Sequence, residues 1–331
     1  MMIVTSLAVA AALAASPATS APTTAQVLPT RFEAGHIYLV PETLSHQHLR
    51  LLADTGGGYA ITSETAQRLN LKVRQQTIDG SKMDVADWPD FKAGQGFPAH
   101  PSLGRTVPVS PASQDFIGAD GTIGGPIFGG HTWTFDYPGE RLTLQGTDWQ
   151  PDAHARSTPL GFQKNDQGQV VGAYPRIIMR VDGQPVDMLL DTGATAHPSA
   201  AGEKASGTPT VNGIGVTSYI TTNVLERWHK AHPDWRIVEN GDDLGGAKHS
   251  ERLIEVPKVE IAGWSVGPVW FTERSDRAFH DYMSSYMDKQ VEGSVGGNVF
   301  GHFVMTLDYP HSTAYFSCVR GCVAATPPPA P

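Results

Sequence analysis

Two short stretches carry a carboxylate in the same setting. Residues 51–59 read LLADTGGGY and residues 188–195 read MLLDTGAT. In each, an aspartate leaves the end of an apolar run and is followed by threonine and glycine: Asp54-Thr55-Gly56 and Asp191-Thr192-Gly193. One such stretch alone reads as a strand ending in a tight turn, since Asp and Gly both favour turns. Two of them admit a specific chemistry. Carboxylates held close together cannot both ionise cheaply, so one pKa rises and the pair shares a proton. Such a pair can hold a water. The ionised member takes the water's proton as it attacks a carbonyl, and the protonated member polarises the carbonyl oxygen. The outcome is amide hydrolysis without a covalent intermediate. Thr55 and Thr192 can each donate a hydroxyl to the other turn's backbone. Gly56 and Gly193 let backbone amides approach the acids closely.

The elements that would deliver these acids also occur twice. Residues 121–144, GTIGGPIFGGHTWTFDYPGERLTL, align without gaps on residues 293–316, GSVGGNVFGHFVMTLDYPHSTAYF, with nine of 24 columns identical. That density makes an internal repeat the better reading than a hairpin met twice by chance. After each Asp-Thr-Gly comes a strand end, a Thr/Ser cap and a short amphipathic helix, in ITSETAQRLNL from Ile61 and ITTNVLERW from Ile220. In the second helix Leu225 and Trp228 are expected to face inward. The second half carries 22 extra residues between its Asp-Thr-Gly and that helix. They are small, polar and rich in Gly and Pro, so a surface loop over 195–218 is expected, covering one side of a cleft between the halves. A further 13 extra residues fall between Ile220 and Gly296. The halves join within 147–168, where polar and turn residues dominate.

Bulk properties narrow the class. The chain has 331 residues, 35 Gly and 25 Pro, and its apolar runs are short, which favours strands and turns. A formal net charge of −9 with no Lys/Arg run excludes a nucleic-acid surface. Residues 1–25 have the layout of a secretory signal, with cleavage after Ala25 preferred to cleavage after Ala21, although no Lys or Arg precedes the apolar stretch. An Ala-rich cytosolic tail is the alternative. Later stretches are too short or polar to span a bilayer. Export to the periplasm or medium makes a disulfide between Cys318 and Cys322 the natural expectation. No metal or other cofactor is expected. Two cysteines are too few for structural zinc, and HQH at 46–48 reads as a solvated turn. His197 reads as an exposed loop histidine, and Trp88 as either a flap or a core residue.

The paired motifs, the TIGG and SVGG segments and the two DYP hairpins together resemble aspartic proteases of the pepsin/retropepsin kind, in particular bacterial single-chain retropepsin-like proteins. The resemblance spans roughly residues 36–318. It implies a mostly β, bilobal pepsin-like acid protease fold: two homologous β-barrel-like lobes with pseudo-twofold symmetry. The expected organisation is an N-terminal lobe over 26–150, a C-terminal lobe over 151–322 and a disordered Pro-rich tail over 323–331. The resemblance also implies an aspartic endopeptidase with Asp54 and Asp191 as catalytic residues, Thr55, Gly56, Thr192 and Gly193 supporting them, and Gly124 and Gly296 packed behind the turns. The expected partner is a peptide or protein substrate, and the chain is expected to be a monomer. Three features depart from the family pattern. Gly57 stands where Ala or Ser is usual, Thr122 and Ser294 stand where an apolar residue is usual, and too few residues precede the first strand for a masking prosegment. Gly57, together with the 22-residue insertion, which could plug the cleft, keeps a second reading open, a catalytically silent peptide-binding or sensing protein on the same scaffold.

Overall fold

The computed structural model describes residues 24–78, 80–111, 118–246 and 250–325. The proposed signal segment falls almost wholly outside them. Strands dominate, arranged in two large sheets, a shared six-stranded sheet and one small two-stranded ladder. Among the described residues no helix is long and apolar enough to cross a membrane.

Each half of the sequence builds one large sheet, and the two follow the same order. In the first lobe the sequence of neighbours is Arg74–Ile78, Ser81–Asp87, Thr106–Ser110, Ala60–Thr62, Gly121–Gly124, Leu51–Asp54, His36–Leu39 and Thr30–Glu33. In the second lobe it is Ile237–Asp242, Glu251–Val256, Val269–Arg274, Ser218–Thr221, Gly293–Val295, Gln184–Leu190 and Arg176–Val181, followed by three further strands at the edge. The directions match as well. Each strand bearing an aspartate runs parallel to its Gly-containing partner, Leu51–Asp54 beside Gly121–Gly124 and Gln184–Leu190 beside Gly293–Val295. The strand that follows each turn runs antiparallel to that same partner. The expected mostly β, two-lobed fold is what forms.

The two DYP hairpins join the lobes. Thr132–Asp136 pairs antiparallel with Phe303–Asp308, and Thr134 lies opposite Thr306. These two threonines occupy one column of the sequence repeat, so each meets its own counterpart, with hydroxyls 2.7 Å apart. A pseudo-twofold axis passes between them. The sheet is completed by Arg141–Leu144 and Gln26–Leu28 on one side and by Thr313–Cys318 and Arg156–Pro159 on the other. Its fully buried side chains include Trp133, Phe135, Phe303 and Phe316. Trp133 stands edge-on to Phe128 at 5.1 Å and donates its indole N–H to the Phe128 carbonyl.

The expected cap forms at the first helix, whereas Thr221 before the second makes no side-chain cap bond and donates its hydroxyl to Glu292 at 3.1 Å instead. Thr62 caps Ser63–Arg68 by accepting from the Thr65 amide, and Thr222–Ala231 buries Leu225 and Trp228. Two further expectations need correction. The segment 195–218 is not a bare loop. Thr195–Ala196 pairs with Gly215–Val216, and a helix spans Ala200–Ser206. Ser199 caps that helix and Gly207 ends it in the left-handed conformation at φ +63°. The helix packs on strand Ile237–Asp242, where a side chain at Gly202 would collide with the Gly241 carbonyl. The tail expected from 323 begins later, because Cys322–Ala324 pairs with Trp264–Val266 and extends the second sheet. A disulfide joins Cys318 to Cys322 and holds that last strand against the hairpin before it. Trp88 is core: it is buried and edge-on to Phe97 at 5.1 Å.

The Thr134–Thr306 contact is testable. Thr306→Val should cost about 1 kcal/mol by leaving a part-buried hydroxyl without its partner. The double variant with Thr134→Val should lose less than the sum of the two singles, read by urea unfolding.

Candidate active site

The second set of reciprocal contacts on the pseudo-twofold axis lies at the Asp-Thr-Gly turns. The Thr55 hydroxyl donates to the Leu190 carbonyl at 2.7 Å and accepts the Thr192 amide at 3.0 Å. The Thr192 hydroxyl donates to the Ala53 carbonyl at 2.7 Å and accepts the Thr55 amide at 3.1 Å. Both threonines are fully buried. The four bonds cross between lobes and clamp the turns in mirrored positions.

The clamp brings Asp54 and Asp191 within hydrogen-bonding reach of each other. Each accepts the amide of the glycine two residues on, Gly56 to Asp54 and Gly193 to Asp191, both at 3.0 Å. The glycines are needed for this approach. A Cβ on Gly56 would lie 2.6 Å from the Asp191 carboxyl carbon, and one on Gly193 would strike the Asp54 carboxyl. Gly124 and Gly296 lie behind the turns, where a Cβ would strike the Gly57 and Thr217 carbonyls respectively.

The departures from the family pattern have local causes. A Cβ on Gly57 would lie 2.2 Å from Asp54 Oδ2, so the carboxyl in this position takes the space an Ala or Ser side chain would fill. The Gly57 amide donates to the Asp54 backbone carbonyl at 3.2 Å and lies near enough to the carboxyl to favour its charged form. Thr122 donates its hydroxyl to the Gly58 carbonyl at 3.2 Å, tying the first turn to the strand beneath it. Ser294 is buried and has no partner in good hydrogen-bond geometry, yet it lies close enough to Asp191 to favour that acid's charged form.

Burial raises the pKa of both acids. For Asp54 the rise is opposed by the hydrogen bond with Asp191 and the amides of Gly56 and Gly57. For Asp191 the rise is greater, because the charge of Asp54 adds to burial. The pair therefore shares one proton, and its titration belongs to both acids together.

Several residues around the pair carried no signal in the sequence. His36, from the first lobe, is 1 % exposed, and its Nε2 lies 3.0 Å from the Thr195 hydroxyl. That hydroxyl donates to the Gly193 carbonyl at 2.8 Å, so a first-lobe imidazole braces the second turn. Burial and the nearby Arg50 lower the pKa of His36 to about 4. Tyr174 stands near Asp54, and burial together with the Asp54 charge pushes its phenol up to about 12.

A cavity of about 530 Å³ opens beside the acids. The second-lobe hairpin Ile237–Asp242 and Glu251–Val256 sends Leu244, Gly245 and Glu251 into its wall, while the equivalent first-lobe hairpin supplies no lining residue among those described. Of the insertion, only Thr195 lines it. The expectation that the insertion covers the cleft is thereby corrected: its helix backs the hairpin that does so. His197 is half-exposed and pairs with Asp243 at the end of that hairpin, outside the cavity wall. His46 lies in a turn against Glu42.

No protein-family model matches the chain, and no curated protein matches it. Among solved structures it is similar to an aspartic proteinase from Irpex lacteus, at 10% identity over 90% of this chain and 98% of that one, with a TM-score of 0.46. It is also similar to basic 7S globulin from soybean, at 11% identity over 89% and 95% with a TM-score of 0.44. A third similarity is to conglutin gamma from lupine seeds, at 11% identity over 89% and 95% with a TM-score of 0.42.

Two pH effects follow. The raised pKa values of the acids mean that the folded state binds more protons than the unfolded one above the ordinary carboxylate range. The pair therefore destabilises the fold increasingly as pH rises through its raised pKa values. Asp191→Asn should raise Tm at pH 7, and the gain should shrink towards pH 3.5. The lowered pKa of His36 acts in the opposite sense. Stability is lost as pH falls from 6.5 to about 4, by about 3 kcal/mol in total. His36→Gln should flatten that part of the stability profile, measured by chemical denaturation across the window.

Proposed function

We propose that the protein is an exported aspartic-type endopeptidase that hydrolyses peptide bonds with Asp54 and Asp191. The observation that carries this reading is the meeting of two buried, proton-sharing carboxyls across the pseudo-twofold axis, each held by a backbone amide and opening on one cavity. In this cycle Asp54 serves as the ionised base and Asp191 as the acid, each carboxyl accepting one backbone amide. Asp54 takes a proton from a water held between the two. The resulting hydroxide attacks the peptide carbonyl while Asp191 protonates its oxygen, giving a gem-diol. Asp54 then passes its proton to the leaving nitrogen, Asp191 recovers one from the diol, and the C–N bond breaks. Both acids return to their starting states. Gly124 and Gly296 support the turns from behind, and no cofactor enters the cycle. Export is supported by the character of residues 1–25 and by the Cys318–Cys322 disulfide, which suits an oxidising compartment.

A peptide-binding role without turnover is the second reading. It draws on Gly57, which stands where the family usually has Ala or Ser. Incubation with a mixed peptide library from pH 3 to 8 separates the two. Hydrolysis blocked by a statine-containing peptide is expected, with Asp54→Asn and Asp191→Asn each losing at least about 10³-fold in kcat/KM at unchanged circular dichroism. Full activity in either variant would sink the mechanism, and binding without cleavage would leave the silent reading.

A further inference from the structure

The cavity beside the acids is mostly a second-lobe construction. Asp54 and Gly56 are its only first-lobe residues, and among the lining residues Arg274 is the one basic side chain. The hydrolytic cycle above does not use it. Arg274 ends the buried strand Val269–Arg274. Its guanidinium lies 4.3 Å over the Tyr219 ring, and Nη1 donates to the Glu273 carbonyl at 3.0 Å. Nη2 approaches the fully buried Asp242 at 3.6 Å, beyond hydrogen-bond length. Asp242 already accepts the amides of His197 at 2.8 Å and Leu244 at 3.2 Å. Its charge is therefore met largely by backbone, and the guanidinium is held in place without being consumed. A guanidinium has five N–H donors, more than these contacts use, and Arg274 lines the cavity.

Tyr219 relates this cation to the acids. Its hydroxyl donates to the Thr195 carbonyl at 2.5 Å and accepts the Thr195 amide at 3.0 Å, two residues beyond Gly193, and the charge of Asp191 acts on its phenol. Arg274 thus shares Tyr219 with the turn that carries Asp191 and lines the same cavity as both acids. A residue flanking the bond held at the acids can therefore present a carboxylate to it.

We propose that Arg274 is a specificity-determining residue that receives a substrate carboxylate, from an acidic side chain or from the peptide's own C-terminus. The proposal rests on the peptide-binding reading of the cleft but not on turnover. A planar guanidinium fixed in advance binds carboxylate in a directed, two-pronged way. Direction matters here, because Glu251 also lines the cavity and acts on Arg274. Selectivity arises from the contact and not from a positive field. The competing role for Arg274 is structural, as the counter-ion of Asp242 alone.

The test uses non-cleavable statine-containing peptides with the wild-type protein. Each position flanking the statine is paired as Asp against Asn, and the chain end as free acid against amide. At one position the acid twin should bind about tenfold more tightly or better. Arg274→Met should shrink that ratio to below about threefold, and Arg274→Lys should keep part of it. The position that responds identifies the source of the carboxylate, side chain or terminus. Equal binding of all acid and amide twins, absence of binding by every acid peptide, or a ratio unchanged in Arg274→Met would overturn the proposal. If Arg274→Met does not fold, the wild-type ratio and its reduction in Arg274→Lys still decide. Acid-selective binding without hydrolysis of the corresponding amide-bond peptides would keep the subsite and remove the proteolysis. Hydrolysis with equal kcat/KM for acid and amide twins would do the reverse.

Discussion

The structure depends on four hydrogen bonds made by two buried threonine hydroxyls across the pseudo-twofold axis. Thr55 and Thr192 each give a proton to the opposite strand's carbonyl and accept the opposite turn's amide. In either lobe alone the hydroxyl and the turn amide would face water; docking removes that water, and burying them unpaired would be costly. Docking of the lobes satisfies all four groups together. The same act presses two carboxyls into each other's hydration shells. Satisfying the backbone and charging the site are thus one event, and neither acid can relax away without breaking the clamp.

A second constraint follows from the first. The two acids lose water on docking, and the fold carries the cost of holding them as a proton-sharing pair. The rest of the axis offsets it. The shared sheet, with Thr134 against Thr306 and aromatic side chains buried beside them, joins the lobes through continuous strand pairing at the other end of the molecule. Destabilisation concentrated at one point of the axis and cohesion spread along the other is the arrangement expected where a site is strained for a purpose.

The two lobes share a frame but not a wall. Their sheets run in the same order, yet nearly all the cavity residues come from the second lobe. The difference traces to the extra residues of the second half. The helix Ala200–Ser206 backs the strand Ile237–Asp242, and the hairpin it supports carries Leu244, Gly245 and Glu251 to the cavity. The other insertion brings Met283. Duplication supplies the paired acids, and asymmetric additions supply the surroundings that a ligand meets.

The repeat, the Asp-Thr-Gly turns, the helix cap at Thr62 and the hairpins at DYP are written locally. Each depends on residues within a few positions of one another, so the sequence by itself determined the strand-rich class, the two-fold plan and the identity of the paired residues. It could also show that Gly57 and Ser294 are unusual, but not why. Those answers depend on neighbours distant along the chain. Gly57 is explained by where the Asp54 carboxyl lies, and Ser294 by its closeness to Asp191. His36, Tyr219 and Arg274 sit in ordinary strand contexts, and no local pattern separates them from other buried residues. The insertion's small and polar composition read as a loop because its packing partner, Gly241, is 39 positions from Gly202. Only the tertiary structure decided which lobe lines the cavity, because that depends on hydrogen bonds and contacts between segments that composition and spacing leave independent.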